Sequence, residues 1–157
     1  MLLQETLETS YLHLNRANDN YQEMLGYVID ASIYADKEKI KTIDAFIFRF
    51  IKLQDFMGDK LFKVLLKRVG EYQDNMALID CLDKLEKLNI IATADQWMHY
   101  RLIRNKLMHE YSTNQQEMLA GIQLAMLYFK EIQDILESIN RYAHKKNLIT
   151  ATYKIDG

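Results

Sequence analysis

Apolar residues in the first thirty positions recur at intervals of three, four or seven. Leu3, Leu7, Leu14, Tyr21, Leu25 and Val28 fall on one stripe, which predicts an amphipathic helix over about residues 3–29. The polar run Ala35-Asp36-Lys37-Glu38 interrupts the pattern and reads as a connection. A long second helix is predicted over about residues 39–69. At 100° per residue its apolar positions cover about 220°, far more than the ~100° stripe of an ordinary core-facing helix. Phe46, Phe50, Leu53 and Met57 lie towards one side of it, Phe48, Phe62 and Leu66 towards the other. So wide an arc predicts a helix that is central in its bundle or shared with a second copy of the chain.

Gly70 and the cluster Gln73-Asp74-Asn75 end this helix, and a short third one is expected over about residues 76–88. Thr93-Ala94-Asp95-Gln96 has the capping-box pattern, so a fourth helix should start there and run to about Glu110. Ser112-Thr113-Asn114 breaks the chain again. Asn114 with Glu117 marks a fifth start, followed by Met118, Ile122, Ala125, Phe129, Ile132, Leu136 and Ile139 on one face to about residue 142. These signals predict an all-α, up-and-down bundle of about five helices over residues 1–144, with residues 145–157 as a polar C-terminal tail. Composition agrees, since there is no proline and only five glycines, both of which long helices exclude.

The 157 residues suit one domain, and 49% hydrophobic against 27% charged residues is a globular balance. Net charge is only −2, so any contact with nucleic acid must come from a local patch. The single Cys81 excludes an intramolecular disulfide and fits a reducing compartment. Its neighbours Asp80 and Asp83 mark it as a packing residue, because an activated thiol needs electropositive surroundings. Gln4, Glu5 and Glu8 interrupt any apolar leader, and the greasiest run, residues 45–53, carries Arg49 and Lys52 and is too short to span a bilayer. A soluble, cytoplasmic protein is the expectation.

The fourth helix breaks the pattern. With Trp97 at 0° on a 3.6-residue wheel, Ile103, Leu107, Tyr100 and Met108 lie between about 240° and 20°, and Arg104 falls inside that arc at about 340°. Asn105 and His109 lie at about 80° and 120°, on a flank shared with Leu102. A guanidinium keeps its charge, so burying it unpaired is expensive. Either Arg104 forms a structural ion pair, with Asp44 or Asp55 on the second helix as the acids, or it waits in a cleft for an anion such as phosphate. His109 is ambiguous alone, since a helical histidine commonly serves packing, yet an imidazole titrates near neutral pH and suits proton transfer. Arg104 and His109 are about 140° apart on one straight helix. A common site therefore needs the reach of Arg104, a frayed helix end, or the same helix of a second copy.

Arg104-Asn105-x-x-x-His109 resembles the signature of HEPN domains: arginine, a polar residue, three more residues, then histidine, near the end of a bundle helix. With Tyr111 the segment is similar to the narrower pattern of the HepT toxins, which pair with a minimal nucleotidyltransferase (MNT) antitoxin. The resemblance extends over most of residues 3–142 in helix number and order. The segment Asp44-Ala45-Phe46-Ile47-Phe48-Arg49-Phe50 is similar to the second helix of that group. It implies a homodimer that cleaves RNA without a metal or other cofactor. In that reading His109 is general base or acid, Arg104 holds the scissile phosphate, and Asn105 orients one or the other. Tyr111 would receive AMP from the antitoxin, which silences the toxin; its other reading is a core tyrosine on the apolar arc.

The chain is longer than compact members of the group, which leaves a second expectation: a docking or substrate-binding subunit of a nucleotidyltransferase, with the same fold and no catalysis. A di-iron bundle would need acidic residues three before its histidines. Ser10, Gln96, Lys106 and Arg141 stand there instead. A glycine-rich phosphate loop, Cys-x-x-Cys and Ser-x-x-Lys are all missing, which removes the common nucleotide, zinc and serine-nucleophile readings.

Overall fold

The structure, a computed structural model, describes residues 2–109 and 114–156. It is all-helical among those residues. The first helix, α1, spans Leu3–Met24. It stops a turn short of the expected end, and Leu25 and Val28, assigned to its apolar stripe by spacing, are exposed. Gly26 follows that end at once, and a 3₁₀ turn over Ala31–Ala35 forms beyond the predicted end, with the Asp30 carboxylate accepting from the Ser32 amide at 2.9 Å. Asp36 then caps α2 (Lys37–Phe56) by accepting from the amides of Glu38 and Lys39, both at 3.1 Å.

α2 continues without a break through a π-helical turn, Met57–Leu61, into α3 (Phe62–Arg68). This turn accounts for the very wide apolar arc of the second helix. A π turn holds one extra residue, so everything after it is set back by roughly 100° relative to a regular helix. On an unbroken wheel Phe48, Phe62 and Leu66 share a side. In the structure Phe62 and Leu66 are fully buried while Phe48 is 60% exposed. With the offset included, the buried positions of α2 and α3 close up to an arc of roughly 140°. The helix is central, and its apparent second face belongs to the register shift.

Gly70, with φ +78°, ends α3 in the left-handed conformation that glycine adopts without strain. α4 (Leu78–Lys87), α5 (Ala94–His109) and α6 (Gln115–Lys145) follow. The box expected at residue 93 is half formed: the Thr93 hydroxyl accepts from the Gln96 amide at 3.2 Å, while Glu86 of α4 takes the Ala94 amide at 2.7 Å. The second expected cap forms, with Asn114 accepting from the amides of Gln116 and Glu117.

The core lies between α1, α2, α3 and α6. Tyr21, Phe46 and Phe129 form an aromatic cluster with ring centroids 5.0–6.2 Å apart. Cys81 is buried, and burial pushes its thiol pKa up, as expected of an inert packing residue. Residues 145–157 were expected to be a polar tail. Instead α6 reaches Lys145, Ile149 is buried, and residues 150–156 run back along α1. No helix among the described residues is long and apolar enough to cross a membrane.

Candidate functional site

α5 is fixed on three sides. Trp97 meets Phe62 edge-on at 4.7 Å and Tyr100 at 5.6 Å. The Tyr100 hydroxyl and the Gln96 amide both donate to one oxygen of Glu131 on α6, at 3.0 and 2.8 Å. Burial, followed by the bond to Glu131, raises the Tyr100 pKa far above its ordinary value, so the phenol is a permanent donor. At Gly121 a Cβ would stand 3.1 Å from Leu107 Cδ2, so α6 offers glycine where α5 comes closest. On the α2 side, buried Gln54 donates to the Tyr100 carbonyl at 3.1 Å.

One residue beyond Gln54, Asp55 meets Arg104. Arg104 Nε donates to Asp55 Oδ1 at 3.0 Å and Nη2 to Oδ2 at 2.7 Å, a two-point fork. Nη1 donates to Asn105 Oδ1 at 3.0 Å. The hydrogen bonds to Asp55, partly offset by burial and aided by the charges of Asp55 and Asp59, hold the guanidinium pKa above its ordinary value. Of the two acids weighed from sequence, Asp55 forms the pair. Asp44 makes no ion pair among the described residues, and its pKa is raised by burial. The fork does not exhaust Arg104. A guanidinium has five N–H donors, and the described residues engage three, leaving one on Nη1 and one on Nη2 without a partner among them. The Arg104 side chain is 18% and that of Asp55 33% exposed.

The other sequence-derived residues divide. Asn105 touches Arg104 directly. His109, the last residue of α5, is exposed and makes no hydrogen bond among the described residues. Tyr111 lies outside the described residues. Met98, Leu102, Asn105 and His109 follow one another at spacings of four, three and four. They form a single stripe on the face of α5 turned away from α6, and all four are exposed. Met108, placed on the buried arc by the wheel, is also exposed.

Beside the fork a groove of about 1050 Å³ opens along α2, between His13 and Arg16 of α1 and Met108 of α5. Phe48 stands in it with the Lys52 ammonium 5.6 Å from its ring centre. Burial, then Arg16 and Lys52, lower the His13 pKa below its ordinary value, which favours the neutral imidazole. No group of three or more potential metal ligands occurs among the described residues. Asp59, Gln54, Glu131 and the groove were not anticipated from sequence, because each takes part through contacts between helices that are distant in the chain. Comparison of the chain with protein-family models, with curated proteins and with solved structures finds no match.

If the fork is a partly exposed pair at the edge of an otherwise complete core, Arg104→Ala should leave a folded protein. A double-mutant cycle with Asp55→Ala, read by urea denaturation, should give a coupling of about 1 kcal/mol. Loss of the folded state on Arg104→Ala would assign the arginine to structure alone.

Proposed function

We propose that this chain is a homodimeric endoribonuclease of HEPN type, acting on RNA phosphodiesters with Arg104, Asn105 and His109 as its working residues. The observation that carries the reading is the state of Arg104: clamped by Asp55 and Asn105, partly exposed, and with two N–H donors that no described residue engages. A phosphate oxygen pair fits those donors, and a guanidinium already immobilised loses little freedom on binding it.

In this mechanism the ribose 2′-oxygen attacks the adjacent phosphorus and the bond to the 5′-oxygen breaks, leaving a 2′,3′-cyclic phosphate and a 5′-hydroxyl. Imidazole takes the 2′-hydroxyl proton and imidazolium returns one to the departing oxygen. Arg104 stabilises the charge that builds on the non-bridging oxygens. His109 and Arg104 diverge on one helix, so the site is completed by the α5 of a second copy. The stripe Met98, Leu102, Asn105, His109 supports this: Met98 is 40% and Leu102 55% exposed at the spacing of a two-helix seam. Exposed Phe48 and Met108 extend the apolar area on the neighbouring α2 face.

A second reading, docking to a minimal nucleotidyltransferase without cleavage, draws on the groove at Phe48 and Lys52, which mixes apolar and charged positions as protein-binding surfaces do. The two readings join if that partner transfers AMP to Tyr111. The peptide bearing Tyr111 should then gain the mass of an AMP adduct when the chain is made together with an active transferase, and an unmodified peptide would remove this part.

Purified protein should cut single-stranded RNA, and cutting should persist in EDTA, as the HEPN resemblance implies. Arg104→Ala and His109→Ala should each lower the rate by roughly 10²–10⁴-fold with the helical content unchanged. An inactive wild-type chain that still binds the transferase would leave the docking reading. Leu102→Glu should convert a dimer to a monomer in light scattering and abolish cutting; a wild-type chain that is monomeric at tens of micromolar would remove the shared site.

A further inference from the structure

The segment after α6 is bound as a ligand would be. Asn147, at φ +56°, ends the helix, and Leu148 N donates to the Ala143 carbonyl at 2.8 Å, which anchors the chain up to buried Ile149. From there residues 150–156 lie along α1 in the same direction as the helix. Thr150 N donates to Gln4 Oε1 at 3.4 Å, near the start of α1. The Tyr153 hydroxyl donates to the Gln4 carbonyl at 3.1 Å, and its ring stacks on Tyr11 at 5.7 Å. Asn140 of α6 donates to the Tyr153 carbonyl at 3.1 Å. Asn15 grips the next residues from both sides, donating to the Lys154 carbonyl at 3.4 Å and accepting from Asp156 N at 2.8 Å. Asn18 donates to the Asp156 carbonyl at 3.0 Å.

Gln4, Tyr11, Asn15 and Asn18 form one line down α1 at spacings of seven, four and three. From Gln4 to Asn18 the helix rises about 21 Å, and six residues of extended chain cover about 20 Å. The amide side chains are therefore in register with an extended backbone. Tyr153 and Ile155 are half-buried, whereas Thr152, Lys154 and Asp156 are exposed, the alternation of a strand with one face seated.

We propose that this α1/α6 face is a recognition groove for an extended polypeptide segment with an aromatic and an aliphatic residue two positions apart. Residues 150–156 are its occupant in cis, and a partner protein's segment of the same pattern is its occupant in trans. The amide groups of Gln4, Asn15, Asn18 and Asn140 contact main-chain atoms, which every peptide carries. No ion pair ties the segment's exposed side chains to the groove among the described residues. What favours the chain's own segment is tethering at Ile149, an effective concentration on the order of millimolar for a short link. A partner overcomes it by abundance or by further contacts of its own. The groove is separate from the α5 face, so the inference does not depend on RNA cleavage.

The test uses the full chain and a fluorescein-labelled peptide of residues 148–156. In the variant Tyr153→Ala/Ile155→Ala the cis segment loses both side-chain anchors. Fluorescence anisotropy should show the peptide binding this variant at least ten-fold more tightly than the wild type. Adding Asn15→Ala and Asn18→Ala should remove that gain. Absence of binding to the anchor variant, or binding indifferent to Asn15 and Asn18, overturns the proposal. Should the anchor variant fail to fold, hydrogen exchange on the wild type decides: excess unlabelled peptide, but not a scrambled one, should speed exchange of the Asp156 amide several-fold. An unchanged rate overturns the proposal equally.

Discussion

The π turn at Met57–Leu61 sets the geometry on which the rest depends. Without its extra residue, Phe62 would line up with Asp55; with it, Phe62 lines up with Gln54. That alignment gives α5 one continuous track: Phe62 against Trp97, then Gln54 against the Tyr100 carbonyl. Asp55 is turned to the edge of the track, where a charged residue can sit half in water. A regular helix would have to choose between a buried Phe62 and an accessible Asp55. The inserted residue permits both, at the expense of one set of regular i to i−4 bonds.

The fork follows from that placement. Arg104 sits on the buried arc of α5 by sequence, and an unpaired guanidinium there would be costly. Asp55 answers the charge from the end of α2, and Asn105 takes a third donor from the exposed side. The sequence-level choice between ion pair and anion site dissolves, because a residue with five donors can be held by one acid and still present two donors elsewhere. This shared use is what distinguishes arginine from lysine at such a position.

Much of the bundle was readable from spacing and caps. Asn114, Thr93 and the Gly70 stop act locally, within three or four residues, and each forms as its residue type requires. The π turn was not readable: Gly58 is a weak hint, and an i to i+5 turn leaves no period of its own, only an apolar arc that looks too wide. Phe48 was consequently grouped with Phe62 and Leu66 in an arc read as central or shared with a second copy, when the register shift separates them. The segment at residues 150–156 failed for another reason. Its polar composition resembles a tail, and the partners that seat it, Gln4, Asn15 and Asn18, lie at the far end of the sequence. Of the candidate site, Asn105 was assigned to the flank of His109, yet its side chain reaches back to Arg104, and Asp55 was one of two acids offered. His109 was identified as exposed-flank chemistry, but spacing alone could not say what it faces.

That flank constrains how the residues could cooperate. α5 is locked in rotation: Glu131 holds Gln96 and Tyr100, Gln54 holds the Tyr100 carbonyl, and Leu107 presses on Gly121. Turning the helix enough to swing His109 towards Arg104's free donors would break all of these at once. An arginine and a histidine about 140° apart on such a helix therefore stay apart within one copy, save for what side-chain reach supplies. In the proposed dimer, two copies joined across Met98 and Leu102 would set a second α5, with its own Arg104 and His109, alongside the first without moving either backbone. Rigidity that prevents a one-chain site would in this way be an asset to the proposed two-chain one.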